Sequence, residues 1–121
     1  DDSIVRGNTS KKIVEMVRKQ GAKNVYFASA APPVRYQNVY GIDMPATKEL
    51  VAHGKTVEEI RLFIGADELI YQDIEDLRMA AHIGNTNITS FEDSVFTGKY
   101  RAGKISEEYL SRLENNRSSK E

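Results

Sequence analysis

The chain has 121 residues, 17 Lys and Arg against 18 Asp and Glu, a net charge of −1, and no Cys. That length suits one domain, and near-neutral charge gives no footing for nucleic acid or an anionic membrane surface. The lack of thiols removes disulfides, thiolate metal sites and cysteine nucleophiles.

No apolar run approaches the roughly 20 residues of a transmembrane helix, and an opening Asp1-Asp2 is not signal-peptide chemistry, so a soluble intracellular protein is expected. A chain that starts on a polar loop without methionine reads as a fragment of a longer polypeptide. The first ten residues, DDSIVRGNTS, run straight into the helical stretch KKIVEMVRKQ. A helix N-terminus presents unpaired N–H groups and the positive pole of the peptide dipoles, which favour an anion such as phosphate. Gly7 lets the backbone approach a ligand closely, and Asn8, Thr9 and Ser10 can cap the helix or donate to phosphate oxygens. Asp1 and Asp2 repel a phosphate but suit sugar hydroxyls or Mg²⁺. Together these features describe a sugar-phosphate site. They also suit an ordinary strand-to-helix turn with two solvated acids and a capping hydroxyl.

Further along, residues 9–20 read as a helix with Ile13, Val14, Met16 and Val17 as its apolar stripe and Gly21 just beyond it. Residues 24–30 (NVYFASA) read as a buried strand, which, after an earlier strand expected ahead of Asp1, makes a βαβ arrangement with a parallel sheet. Ligands of such sheets bind beyond the C-terminal strand ends, where residues 1–10 belong. Pro32 and Pro33 end the strand, and residues 34–45 read as irregular with a short strand near Val39 and Tyr40. A helix is expected over 45–53, and Thr56-Val57-Glu58-Glu59 has capping-box spacing for another, with Ile60 and Ile64 inward and Gly65 as its stop. Residues 68–72 predict a strand, Asp73 caps a helix, 91–100 reads as packed coil, and Ser106 caps a last helix. Residues 115–121 should fray. His53 and His82 lie in no ligand-like spacing, no serine has a nucleophile-elbow context, and one glycine in the opening loop is too few for a Walker or dinucleotide fingerprint.

DDSIVRGNTS resembles the phosphoribosyl-pyrophosphate loop of type I phosphoribosyltransferases, with Asn8 where that family usually carries threonine. The blocks VYFASAAP (25–32), NVYGIDMP (38–45) and FEDSVFTGKY (91–100) are similar to the glutamine phosphoribosylpyrophosphate amidotransferase family in particular. The resemblance implies an α/β fold: part of a Rossmann-like parallel sheet with flanking helices, plus a helical and irregular C-terminal extension. It implies a division into residues 1–84, the C-terminal half of a phosphoribosyltransferase domain, and residues 85–121, the extension.

The implied activity is transfer of glutamine-derived ammonia to C1 of phosphoribosyl pyrophosphate, the first step of de novo purine synthesis, by a cytoplasmic homo-oligomer with purine nucleotides as feedback inhibitors. The implied cofactor is Mg²⁺ on Asp1 and Asp2. Asp1, Asp2, Ser3, Arg6, Gly7, Asn8, Thr9 and Ser10 would bind the ribose and its 5′-phosphate. Part of the family carries an iron–sulphur cluster on cysteines, some near the block at 96–98, and the absence of Cys aligns this chain with the cluster-free branch. Two other readings stay open: a different type I phosphoribosyltransferase or nucleotide-binding regulator built on the same loop, and a non-catalytic α/β binding module.

Overall fold

The computed structural model describes residues 1–118. Its first helix, α1 (Asn8–Lys19), starts one residue earlier than the sequence pattern suggests. Val14 is buried and Ile13 packs against the core, while Met16 and Val17 point outward, so the buried stripe is narrower than the run of apolar residues implied. Strand β1 (Tyr26–Ser29) follows, and β2 (Glu68–Tyr71) lies parallel to it with Phe27 opposite Leu69. Between them, residues 45–53 form only a 3-10 turn, Thr47–Glu49, rather than the expected helix, and there is no strand at Val39 or Tyr40. Leu50, at φ −70° and ψ 115°, is extended and ends the helical run after one turn.

Helix α2 (Val57–Ile64) carries the capping box its sequence announces: the Glu59 N–H donates to the Thr56 hydroxyl, and the Thr56 N–H donates back to the Glu59 carboxylate. Ile60 and Ile64 are fully buried, and Gly65 ends the helix in the left-handed conformation at φ 77°. Helix α3 (Ile74–His82) is capped by the Asp73 carboxylate, which accepts from Glu75 and Asp76. A short helix α4 (Ser94–Thr97) sits inside the segment read as coil. The last helix, α5 (Glu107–Ser118), runs through residues 115–118, part of the stretch expected to fray; residues 119–121 of that expectation lie outside the described residues.

The core forms where α1 and α2 cover one face of the sheet. Ile4, Val14, Val25, Phe27, Val51, Ala52, Ile60, Ile64, Ala66 and Leu69 make one buried cluster. Burial of these side chains from water is the main stabilising term, about 1.5–3 kcal/mol for each large one. Arg18, at the C-terminal end of α1, donates to the carbonyl of Gly65 and the carboxylate of Asp67, and Asp67 also accepts the N–H of Val25. One carboxylate thereby joins α1, β1 and the turn that enters β2.

The other edge of β1 is engaged as well. The Asp1 nitrogen donates to Ala28 O at 3.0 Å, Ala30 N–H to Asp1 O at 2.9 Å, and Ala31 N–H to Asp2 O at 2.9 Å. The first two are the slanted bonds of a parallel pairing. Residues 1–2 are therefore laid along the C-terminal end of β1, opposite β2.

The segments 34–45 and 91–118 pack together. Arg35 and Tyr36 N–H groups donate to Val95 O, Tyr100 Oη to Gln37 O, and Gln37 Nε2 to Leu110 O. Arg78 of α3 grips the buried Asp93 with Nε at 2.8 Å and Nη2 at 2.5 Å, and also bonds Glu75. Burial pushes the Asp93 carboxyl up, but the Arg78 guanidinium and the Thr97 hydroxyl outweigh it and hold it below the ordinary carboxylate value. A depressed folded-state pKa stabilises the fold above the unfolded value near pH 4, and this contribution is lost as pH falls through the folded one. The wild-type melting temperature should therefore drop more steeply below about pH 4 than that of Asp93→Asn. Parallel acid limbs in a pH series of thermal melts would contradict this.

Candidate functional site

The opening loop connects the end of the parallel ladder to α1. Its backbone is fixed from three sides. The β1 bonds hold residues 1 and 2, the Val51 N–H donates to Val5 O at 2.9 Å, and Ile4 is buried in the core. The chain then turns at Gly7, whose φ of 77° and ψ of −11° are left-handed. A Cβ at this position would lie 3.0 Å from the Phe63 ring and 3.2 Å from a Val51 methyl. Both the backbone conformation and the space therefore require glycine.

Gly7 is also the N-cap of α1, and no side chain caps this helix, so of the two roles open to Asn8, Thr9 and Ser10, capping or donating to phosphate, capping is not the one used. The first helical bond is Lys11 N–H to Gly7 O. The N–H groups of Asn8, Thr9 and Ser10 thus have no partner within the described residues, which is what an incoming anion needs. Asn8 and Thr9 are exposed and Ser10 is 2% exposed.

These residues surround a cavity of about 360 Å³ lined by Asp1, Asp2, Ser3, Val5, Arg6, Gly7, Asn8, Thr9 and Ser10. All eight residues singled out in the sequence face one cavity, at the C-terminal end of the sheet. The two acids occupy the strand end and the free N–H groups the helix end. Asp1 Oδ1 accepts the Asp2 N–H at 2.9 Å, and Asp2 Oδ1 accepts the Ser3 N–H at 2.5 Å. Each exposed carboxylate keeps its second oxygen unengaged among the described residues. Two such oxygens fit sugar hydroxyls and fit Mg²⁺, a hard cation that takes one or two carboxylates and retains water.

Arg6 behaves differently from its neighbours in the loop. Its Nε donates to Glu49 Oε1 at 2.9 Å, and the same bond holds the Glu49 carboxyl below its usual value. Glu49, Phe63 and Val51 support the loop from positions more than 40 residues away, and nothing in the local sequence announces them. His53 and His82 both turn a ring nitrogen to a backbone carbonyl, of Arg35 and of Ile88. Burial raises the phenol of Tyr71 to about 12.

A parallel sheet whose strand end carries two acids, followed at once by an uncapped helix N-terminus, is the arrangement of a type I phosphoribosyltransferase. Solved structures agree. Glutamine phosphoribosylpyrophosphate amidotransferase from B. subtilis, complexed with ADP and GMP, superposes with a TM-score of 0.71 at 39% identity, covering 88% of this chain and 24% of that one. The structure of an allosteric regulatory enzyme of purine biosynthesis gives a TM-score of 0.73 at 36% identity, covering 94% of this chain and 25% of that one. In sequence, the chain is 56% identical to the amidophosphoribosyltransferase of Haemophilus influenzae over 97% of its own length and 23% of that protein. It is 50% identical to that of Saccharomyces cerevisiae over 98% of its length and 23% of the relative. No protein-family model matches the chain. By sequence and by fold the chain belongs to the amidophosphoribosyltransferase family, as a segment that spans just under a quarter of the relatives' length.

Proposed function

We propose that the intact protein carrying this segment is an amidophosphoribosyltransferase. It would add glutamine-derived ammonia to C1 of phosphoribosyl pyrophosphate, yielding 5-phosphoribosylamine and pyrophosphate at the start of purine synthesis. The observation that carries the proposal is the polarity of one cavity, with unengaged carboxylate oxygens at one end and free helix N–H groups at the other. The N–H groups of Asn8, Thr9 and Ser10 hold the 5′-phosphate, which does not react, and its binding energy positions C1. Asp1 and Asp2 take the ribose hydroxyls and hold Mg²⁺. When bound, Mg²⁺ supplies positive charge to the leaving pyrophosphate. Ammonia is already nucleophilic, so no general base is assigned in this segment.

Residues 1–84 would form part of the transferase domain and 85–121 its extension, in a cytoplasmic, cluster-free homo-oligomer. Purine nucleotides carrying the same 5′-phosphate would compete for the loop and serve as feedback inhibitors. Calorimetric titration of the intact protein is the test. Phosphoribosyl pyrophosphate should bind with Mg²⁺, and ribose 5-phosphate should displace it. Failure of both to bind would end this reading, while binding without ammonia-dependent turnover would favour a nucleotide-binding regulator.

A further inference from the structure

The 3-10 turn Thr47–Glu49 begins at Ala46, which has no side chain able to cap it. Its first N–H groups are nonetheless satisfied, and by carboxylates. Glu49 reaches back to the Ala46 N–H with Oε2 at 3.0 Å. Glu114, on α5, accepts the Thr47 N–H at 2.8 Å and the Lys48 N–H at 3.3 Å. A residue 67 positions away thus supplies the cap this turn lacks. Burial raises the Glu114 carboxyl, but the Thr47 and Lys48 N–H bonds more than offset it and leave it below its ordinary value, so it is ionised and suited to the role. The other oxygen of Glu49, Oε1, holds Arg6 of the phosphate loop at 2.9 Å. Two residues beyond the turn, the Val51 N–H bonds Val5 O of the same loop.

We propose that Glu114 is a positioning residue for the phosphate loop: α5 fixes the turn, and the turn fixes Arg6 and Val5 through Glu49 and Val51. This rests on the loop being the phosphate site argued above. Glu114 is not among the residues that line the loop cavity, so its effect on the site is one of positioning. Without its carboxylate, two N–H groups at the start of the turn lose their acceptor, and the turn that carries Glu49 is no longer pinned to α5. The loop would then have to be ordered at the moment of binding, at a cost in affinity.

The test uses the intact protein and two readouts. Glu114→Ala should weaken ribose 5-phosphate binding about three- to tenfold and speed amide exchange at Val51. In an Arg6→Ala background the same change should cost clearly less affinity than in the wild type, because the route through Glu49 is already cut and only the one through Val51 remains. Glu114→Gln keeps an acceptor oxygen and should retain most of the affinity, and it serves if Glu114→Ala fails to fold. Equal losses of affinity in both backgrounds, or unchanged exchange at Val51, would overturn the proposal. A wild type that binds no ribose 5-phosphate would defeat the assigned function, and the exchange rates alone would then decide the role of Glu114.

Discussion

Replacing Gly7 with valine is expected to be the most damaging single change in the loop for the fold and for phosphate binding together. A β-branched residue at φ 77° is strained, and its Cβ would press on the Phe63 ring and on Val51, both part of the packing that orders the loop. Left-handed strain of about 1–3 kcal/mol and overpacking of a similar size give a loss of roughly 2–6 kcal/mol. That is a large share of the 5–15 kcal/mol typical of a domain. The melting temperature should fall by roughly 10 °C or more, and affinity for a nucleoside monophosphate should fall by well over tenfold. By comparison, Ser10→Ala removes at most one hydrogen bond, about 0.5–1.5 kcal/mol. Differential scanning calorimetry and ligand titration on both variants check this. If Ser10→Ala is the worse binder, hydroxyl groups rather than backbone N–H groups hold the phosphate.

The second large effect concerns chemistry and leaves stability alone. Asp1→Asn with Asp2→Asn in the intact protein should reduce phosphoribosylamine formation by at least about a hundredfold, since each acid is assigned charge-assisted bonds worth about 1.5–3 kcal/mol. The fold should hardly notice. Both side chains are exposed, and the bonds their Oδ1 atoms accept from Asp2 and Ser3 N–H groups are equally available to an amide oxygen. The loss would therefore report charge and not loop shape. Glutamine hydrolysis, assigned to no residue of this chain, should persist. Turnover within about threefold of wild type would remove Asp1 and Asp2 from the proposed site, since two charge-assisted bonds are worth far more than that.

Much of the site was legible because it is contiguous. Residues 1–10 form one turn into one helix, so the acids, the glycine and the future N–H donors sit together in the sequence as they do in space. The capping of α2 and α3 was legible for the same reason, because a cap and its partners lie within three residues. One local reading failed. Residues 45–53 have apolar and polar residues at helical spacing, yet Glu114 satisfies the turn from outside and the chain stops after one 3-10 turn. The hydroxyl and amide residues at 8–10 suited either capping or a phosphate, and Gly7 at the cap position leaves their N–H groups open.

Neighbouring residues alone set the order of α1, β1, α2 and β2, the glycine at the turn and the acidic pair. Each follows from the propensities and spacing of neighbouring residues. Tertiary structure alone decided what holds that loop in shape. Phe63 and Val51 against Gly7, Glu49 on Arg6, and Glu114 on the Thr47 N–H are contacts between residues 43 to 67 positions apart. No local pattern encodes them, because such a contact forms only when α2, the 3-10 turn and α5 have packed and their side chains meet.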